Sequence, residues 1–182
     1  MKNIYILLAD GFEEVEALTP TDVLRRAGFE VFLVSTTGSP NIKGSHDIVV
    51  KADVFLSDVD VDNACLLLLP GGLPGTTNLL ANERVKDLVL QFNNKQKWLA
   101  AICAAPMILG EMHLLEGKIA TCYPGFEKHL YGATYSDKPT ITDGKIITGK
   151  GIGAAMAFSL EIVKNISGEE IAIEMKKKMV VG

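Results

Sequence analysis

The sequence predicts a doubly wound α/β sandwich, and three observations predict it. Short apolar runs alternate with amphipathic stretches over the whole length. Several of the runs have almost no polar alternation, as expected of strands covered on both faces by helices. No low-complexity linker, repeat or composition shift divides the chain, so residues 1–182 read as one domain of the usual size of roughly 100–200 residues.

Taken in order, Ile4–Ala9 is the first strand, and Thr21–Ala27 is a helix closed by Gly28. Pro20 interrupts the pattern upstream, which leaves Glu16 in a short turn or a kinked first turn before that helix. Glu30–Ser35 is the second strand, and His46–Val50 offers an extra, antiparallel one. Ala64–Leu69 is apolar throughout and is followed by a helix over Asn82–Asn93. Trp98–Ile102 is a strand that runs straight into a helix over Ala104–Met112. Lys118–Thr121 and Lys145–Thr148 are further strands, the second preceded by the hairpin dipeptide Asp143-Gly144. Helices over Ala154–Asn165 and Gly168–Met179, separated at Gly168, close the chain.

Composition excludes several classes of function. With 48% hydrophobic and 22% charged residues the chain is neither disordered nor collagen-like. A net charge of −4, from 22 acids against 18 bases, gives no footprint for nucleic acid or acidic lipid. The longest uncharged run, Trp98–Gly110, falls short of the ~20 residues of a membrane helix. The N-terminus offers Lys2 and the apolar run Ile4–Ala9 before Asp10, too short for the roughly 7–15 apolar residues of a signal peptide. Three cysteines without a C-x-x-C pair describe no disulfide framework. The expectation is a cytoplasmic protein with reduced thiols and with no nucleic-acid or membrane partner.

In open α/β sheets ligands bind beyond the carboxyl ends of the strands. The segments there are Asp10–Glu16, Pro70–Gly75, Cys103–Ala105, Tyr123–Gly125 and Gly149–Gly153, and they are expected to gather on one rim. Leu99-Ala100-Ala101-Ile102-Cys103-Ala104-Ala105-Pro106 has the form of a nucleophile elbow: a strand turns into a helix with small residues two before and two after Cys103. Pro106 suits an early helical position, and the helix N-terminus favours thiolate. The thiol is therefore expected well below the ~8.5 of free cysteine. Cys65, within a strand, and Cys122, near a strand end, read as buried hydrophobes.

Five motifs occur in order: Ala-Asp-Gly-Phe-Glu-Glu-Val-Glu (9–16), Asp-Val-Leu-Arg-Arg-Ala-Gly (22–28), Leu-Pro-Gly-Gly (69–72), Ala-Ile-Cys-Ala-Ala-Pro (101–106) and Thr-Gly-Lys-Gly-Ile-Gly (148–153). In them the chain resembles the ThiJ/PfpI superfamily, which includes peroxide-sensing proteins and deglycases. The resemblance implies a flavodoxin-like sandwich with a mostly parallel central sheet, a homodimer, and a reactive cysteine at the elbow. It also implies that Glu16 is the carboxyl that contacts the cysteine. Beside the sulfur in a partly buried pocket its pKa is expected to rise, leaving a neutral acid able to donate to the sulfur and to move protons. Glu13 and Glu14 read as dipole partners at a helix start.

Gly71 and Gly72, with the N–H of Ala104, are candidates for an oxyanion hole facing Cys103, where the plain alternative is an ordinary Pro-Gly turn. The chain departs from the superfamily in carrying Ala104 and Tyr123 where many members carry a histidine, so no Cys-His-acid triad is visible. Tyr123 becomes a pocket residue. His46 stands where members often have an arginine near the cysteine, and is a candidate for anion contact. Arg25 and Arg26 read equally as dimer contacts or as solvent-facing residues.

No cluster has metal-ligand spacing, and the phosphate-loop look-alike Gly144–Gly151 lacks its Ser/Thr. The reading that follows is a cofactor-independent, cysteine-dependent enzyme acting on small carbonyls or their adducts, glyoxalase- or deglycase-like. The alternative is a redox sensor or chaperone in which peroxide oxidises Cys103, and a peptidase or amidase ranks below both.

Overall fold

The computed structural model describes residues 3–182; Met1 and Lys2, the lysine of the N-terminal reading included, lie outside the described residues. β1 (Asn3–Leu8) shows why its sequence lacks alternation: Tyr5 and Leu7 sit in one core while Ile4, Ile6 and Leu8 sit in another. Both faces are covered, so the buried positions Ile4–Leu8 do not alternate with polar residues.

α1 (Glu14–Arg26) and β2 (Glu30–Ser35) follow. Then come β3 (Asn41–Lys43), β4 (Val49–Lys51), β5 (Val54–Phe55) and β6 (Ala64–Leu69). α2 (Gly75–Ala81) and α3 (Glu83–Asn94) lead to β7 (Trp98–Ile102) and α4 (Pro106–Glu111). β8 (Ile119–Ala120), β9 (Thr134–Tyr135), β10 (Thr140–Asp143) and β11 (Ile146–Gly149) precede α5 (Ala155–Ser167) and α6 (Glu169–Lys178).

The main sheet runs β10-β11-β7-β6-β1-β2-β5, parallel except for the β10–β11 hairpin. Its parallel centre, β2-β1-β6-β7-β11, has the flavodoxin-like order in which the chain reverses direction between the first and third strands. α2, α3 and α4 supply Leu79, Phe92 and Ile108 to one core; α1, α5 and α6 supply Leu24, Phe158 and Met175 to the other. The doubly wound sandwich expected from the sequence is the observed fold. Among the described residues no helix is long and apolar enough to cross a membrane.

Four local expectations change. α1 begins at Glu14 instead of Thr21 and runs through Pro20. Burial of Glu14, Glu16, Ala17 and Pro20 against the sheet outweighs the single backbone bond that proline removes. Lys118–Thr121 is not a core strand: only Ile119–Ala120 is extended, paired with β9, because β10 already occupies the edge of the sheet beside β11. The extra strand starts at Val49, antiparallel to β3, and His46 lies in the preceding turn. α2, which the sequence reading did not include, follows directly on the Gly71-Gly72 turn.

Candidate functional site

Cys103 occupies the turn between β7 and α4 with φ +65°, a left-handed conformation that non-glycine residues adopt only when surrounding contacts enforce it. Those contacts are present. The Cys103 N–H donates to the Gly149 carbonyl at 2.9 Å, and its own carbonyl accepts the Tyr123 N–H at 2.8 Å. The ends of β7 and β11 and the loop after β8 are thereby tied together at the elbow. Ala101, Ala104 and Ala105 are buried around it, so the small residues of the motif are required by packing as well as by the turn.

The opposite wall comes from the β1 and β6 ends. Glu13 N–H donates to the Gly71 carbonyl at 2.8 Å, and Gly75 N–H donates to Gly11 at 3.1 Å. All five segments expected on the rim do meet there. Glu16 is fully buried on the first turns of α1, and its Oε2 accepts the Gly71 N–H at 3.0 Å. A Cβ on Gly71 would lie 2.6 Å from both the Cys103 Cβ and the Glu16 Oε2, so acid and cysteine face each other across this glycine.

The backbone donors divide differently from the sequence expectation. The Gly71 N–H is taken by Glu16, so it is not turned to the sulfur. The N–H groups that act on Cys103 are those of Ala104 and Gly72.

Burial raises Glu16 to about 7, opposed by its bond with Cys103, reinforced by the charge of Glu13, and opposed again by the Gly71 N–H. Glu16 Oε1 is buried with no hydrogen-bond partner of its own, a poor place for negative charge and a suitable place for a proton. Burial likewise pushes the Cys103 thiol up, with the charge and hydrogen bond of Glu16 adding, to about 12; only the Ala104 and Gly72 N–H groups pull it down.

The expected depression of the thiol is therefore corrected. α4 has six residues and supplies a short dipole, and an ionised Glu16 opposes a second charge beside it. The two groups form one titrating pair, which gives up one proton near pH 7 and holds the other into strong alkali. The Ala104 and Gly72 N–H groups act on the sulfur and the Gly71 N–H on Glu16 Oε2, so both members of the pair have backbone donors for the one proton and one charge they share.

The three histidines of the chain are all bonded to glutamates: His46 to Glu14 at 2.8 Å, His113 to Glu116 at 2.9 Å, and His129 to Glu111 at 2.8 Å. His46 thus faces carboxylates instead of offering a bare anion site. It joins Glu13 and Glu14 in a cluster whose ligand-type atoms lie within 4.8 Å of one another, a grouping no sequence spacing announced because the β3–β4 turn brings it from 32 residues away. The hydrogen bonds account for it as an ion pair. Arg25 and Arg26 are likewise engaged within the chain, with Asp53 and Asp22.

Glu14, almost fully buried, is held down at about 2: the bonds and charge of His46, with Glu14's own backbone N–H, outweigh burial, which acts the other way. A carboxyl depressed on folding stabilises above its unfolded pKa, and that stability is lost as pH falls through the folded value. Unfolding measured between pH 5 and 2 is expected to show a loss of about 3 kcal/mol from this group. The loss is expected to be absent in Glu14→Gln, and an unchanged acid limb in that variant would remove the assignment.

Tyr123 is 48% exposed and lines a hollow of about 330 Å³ beside the elbow, with Pro124, Asp137, Lys150, Gly151 and Ile152. Lys150 is held to Asp137 at 2.5 Å, and Tyr135 donates to the same carboxylate at 2.9 Å. Gly149 and Lys150 were within reach of sequence reasoning, since they fall in a rim segment; Asp137 carried no signal. Cys122 is fully buried and its thiol is pushed up to about 12 by burial and then by the charge of Glu127, and Cys65 is buried on β6.

A model of the DJ-1/PfpI family matches residues 2–165. Protein dj-1beta of Drosophila melanogaster is 36% identical over 99% of this chain and 97% of its own length. Protein DJ-1 homolog B of Arabidopsis thaliana is 39% identical over 98% of this chain, which spans only 41% of that relative's length. A cysteine-to-alanine mutant of the DJ-1 superfamily protein STM1931 from Salmonella typhimurium superposes with a TM-score of 0.95 at 32% identity, covering 100% of both chains.

Proposed function

Because the chain belongs to the DJ-1/PfpI family, we propose that it is a cysteine-dependent enzyme acting on small reactive carbonyls or their adducts, glyoxalase- or deglycase-like, with Cys103 as nucleophile and Glu16 as proton donor and shuttle. One observation carries the reading: a fully buried carboxyl with an unpartnered oxygen stands against an elbow cysteine, and every imidazole in the chain is engaged elsewhere. Proton transfer in such a site falls to the carboxyl.

The Cys103 thiolate adds to an aldehyde carbon, forming the C–S bond. The carbonyl oxygen takes up the charge within reach of the Ala104 and Gly72 N–H groups and receives the Glu16 proton. With an α-ketoaldehyde, the ionised Glu16 then removes the proton from the adduct carbon and returns one to the neighbouring carbon, while the adduct hydroxyl proton passes to the former ketone oxygen and the sulfur-bearing carbon regains its C=O. The resulting thioester is hydrolysed to a hydroxy acid. Electrons move only within substrate and water, so the sequence is redox-neutral overall and consumes one water. The hollow beside Tyr123 has room for a small substrate.

Methylglyoxal turnover by the purified protein is the test. Cys103→Ser is expected to reduce it to background. Tyr123→Phe is expected to stay within about tenfold of wild type, because one hydrogen bond is worth roughly 1 kcal/mol and tyrosine is a poor base near neutrality. Loss in Tyr123→Phe as complete as in Cys103→Ser would move the acid–base role away from Glu16.

Cys103 is also the partly exposed cysteine, beside buried Cys65 and Cys122, which favours it as the oxidised residue in a second, redox-sensing reading. Thiol chemistry of either kind fits a reducing compartment such as the cytoplasm. Val15, Ile48, Val49 and Leu73 are between 42% and 58% exposed on α1, the β3–β4 hairpin and the β6–α2 turn, which supports a homodimer. Sedimentation as a monomer at micromolar concentration would remove the dimer.

A further inference from the structure

At the end of the sheet opposite Cys103, a cavity of about 570 Å³ opens where β6, β7 and β11 begin, lined by Lys95, Lys97, Trp98, Lys145 and Asn165 among others. We infer that this cavity binds a small diphosphate-type anion.

The charges carry the argument. Lys95 pairs with Asp62. Lys97 bonds neutral carbonyls, those of Asp62 at 2.8 Å and Ala64 at 2.6 Å, which fixes its ammonium and leaves a further N–H. Asp60 feels the charge of Lys97, but its carboxylate is bonded by Asn63 and by the Asp62 N–H. Lys145 is exposed, with its ammonium 4.3 Å from the centre of the Trp98 ring. Three ammonium groups thus line the cavity with no carboxylate among its lining residues, while Asp62 and Asp60 act on Lys95 and Lys97 from outside it, in a protein of net charge −4. One positive charge in excess of these two carboxylates remains, in a concave site large enough for more than a single ion, and lysine ammoniums serve phosphate oxygens as point charges.

Trp98 is the only tryptophan, so its emission reports this cavity alone. Sodium pyrophosphate titrated at constant ionic strength is expected to give a saturable change in that emission and a rise in melting temperature. Lys145→Gln is expected to weaken binding at least tenfold, Lys145→Arg to retain it, and Cys103→Ser to bind as wild type. Methylglyoxal turnover is expected to be unchanged in Lys145→Gln. A parallel titration with ADP separates the sources: tighter binding than pyrophosphate assigns a diphosphate ester, weaker binding the free anion. A response that sodium chloride reproduces at equal ionic strength, or equal affinity in Lys145→Gln, would overturn the site.

Discussion

Glu16→Gln is expected to lower methylglyoxal turnover by about 10²- to 10⁴-fold, the usual contribution of a positioned acid–base group. Glutamine retains a donor toward the sulfur and cannot move a proton. It also removes the carboxylate whose charge opposes thiol ionisation, so Cys103 is expected to titrate alone and below its wild-type value. Oxidation of Cys103 by limiting peroxide, followed by mass spectrometry, is therefore expected to survive in Glu16→Gln. In Glu16→Leu the donor is gone, and oxidation is expected to slow. In the wild type the oxidation rate is expected to keep rising toward alkaline pH, because burial and then the charge and hydrogen bond of Glu16 hold the thiol up to about 12. Turnover of Glu16→Gln within tenfold of wild type would remove the shuttle. Preferential oxidation of Cys65 or Cys122 would remove the elbow.

What could be read from the sequence was mostly what is contiguous along the chain. The elbow is contained in residues 101–106, so its small residues, turn and proline announce it, and the left-handed Cys103 is what that turn demands. The doubly wound core was legible because strands such as Ala64–Leu69 are apolar at every position. The bond from Gly71 N–H to Glu16 joins residues 55 apart, and that between the His46 N–H and Glu14 joins residues 32 apart; neither leaves a local trace. Sequence reasoning gave the right direction for Glu16 and the wrong one for Cys103 for one reason. It counted the local helix end, which is short, and could not weigh burial, which raises both acids. Two-residue strands such as β5 and β8 carry no period to read and form only because a neighbouring strand end is present.

Gly71→Ala is expected to abolish most turnover while the chain still folds. The position has no left-handed backbone to strain, so the effect is one of space. The added methyl would sit 2.6 Å from the Cys103 Cβ, which is fixed to a tethered backbone, and 2.6 Å from Glu16 Oε2, which is buried and bonded to the same glycine. The carboxyl is the softer neighbour and is pushed from the sulfur, parting the titrating pair. Overpacking of this kind costs roughly 1–3 kcal/mol. Gly28→Ala supplies the control: its Cβ meets no atom within 4 Å, but φ is +87°, so the cost is backbone strain of roughly 1–2 kcal/mol far from the rim. The two variants are therefore expected to lose similar stability in urea. Turnover is expected to stay near wild type in Gly28→Ala and to fall at least about 100-fold in Gly71→Ala, as for removal of an acid–base group. Equal losses of turnover in both would mean that stability, and not the separation of Glu16 from Cys103, controls the activity.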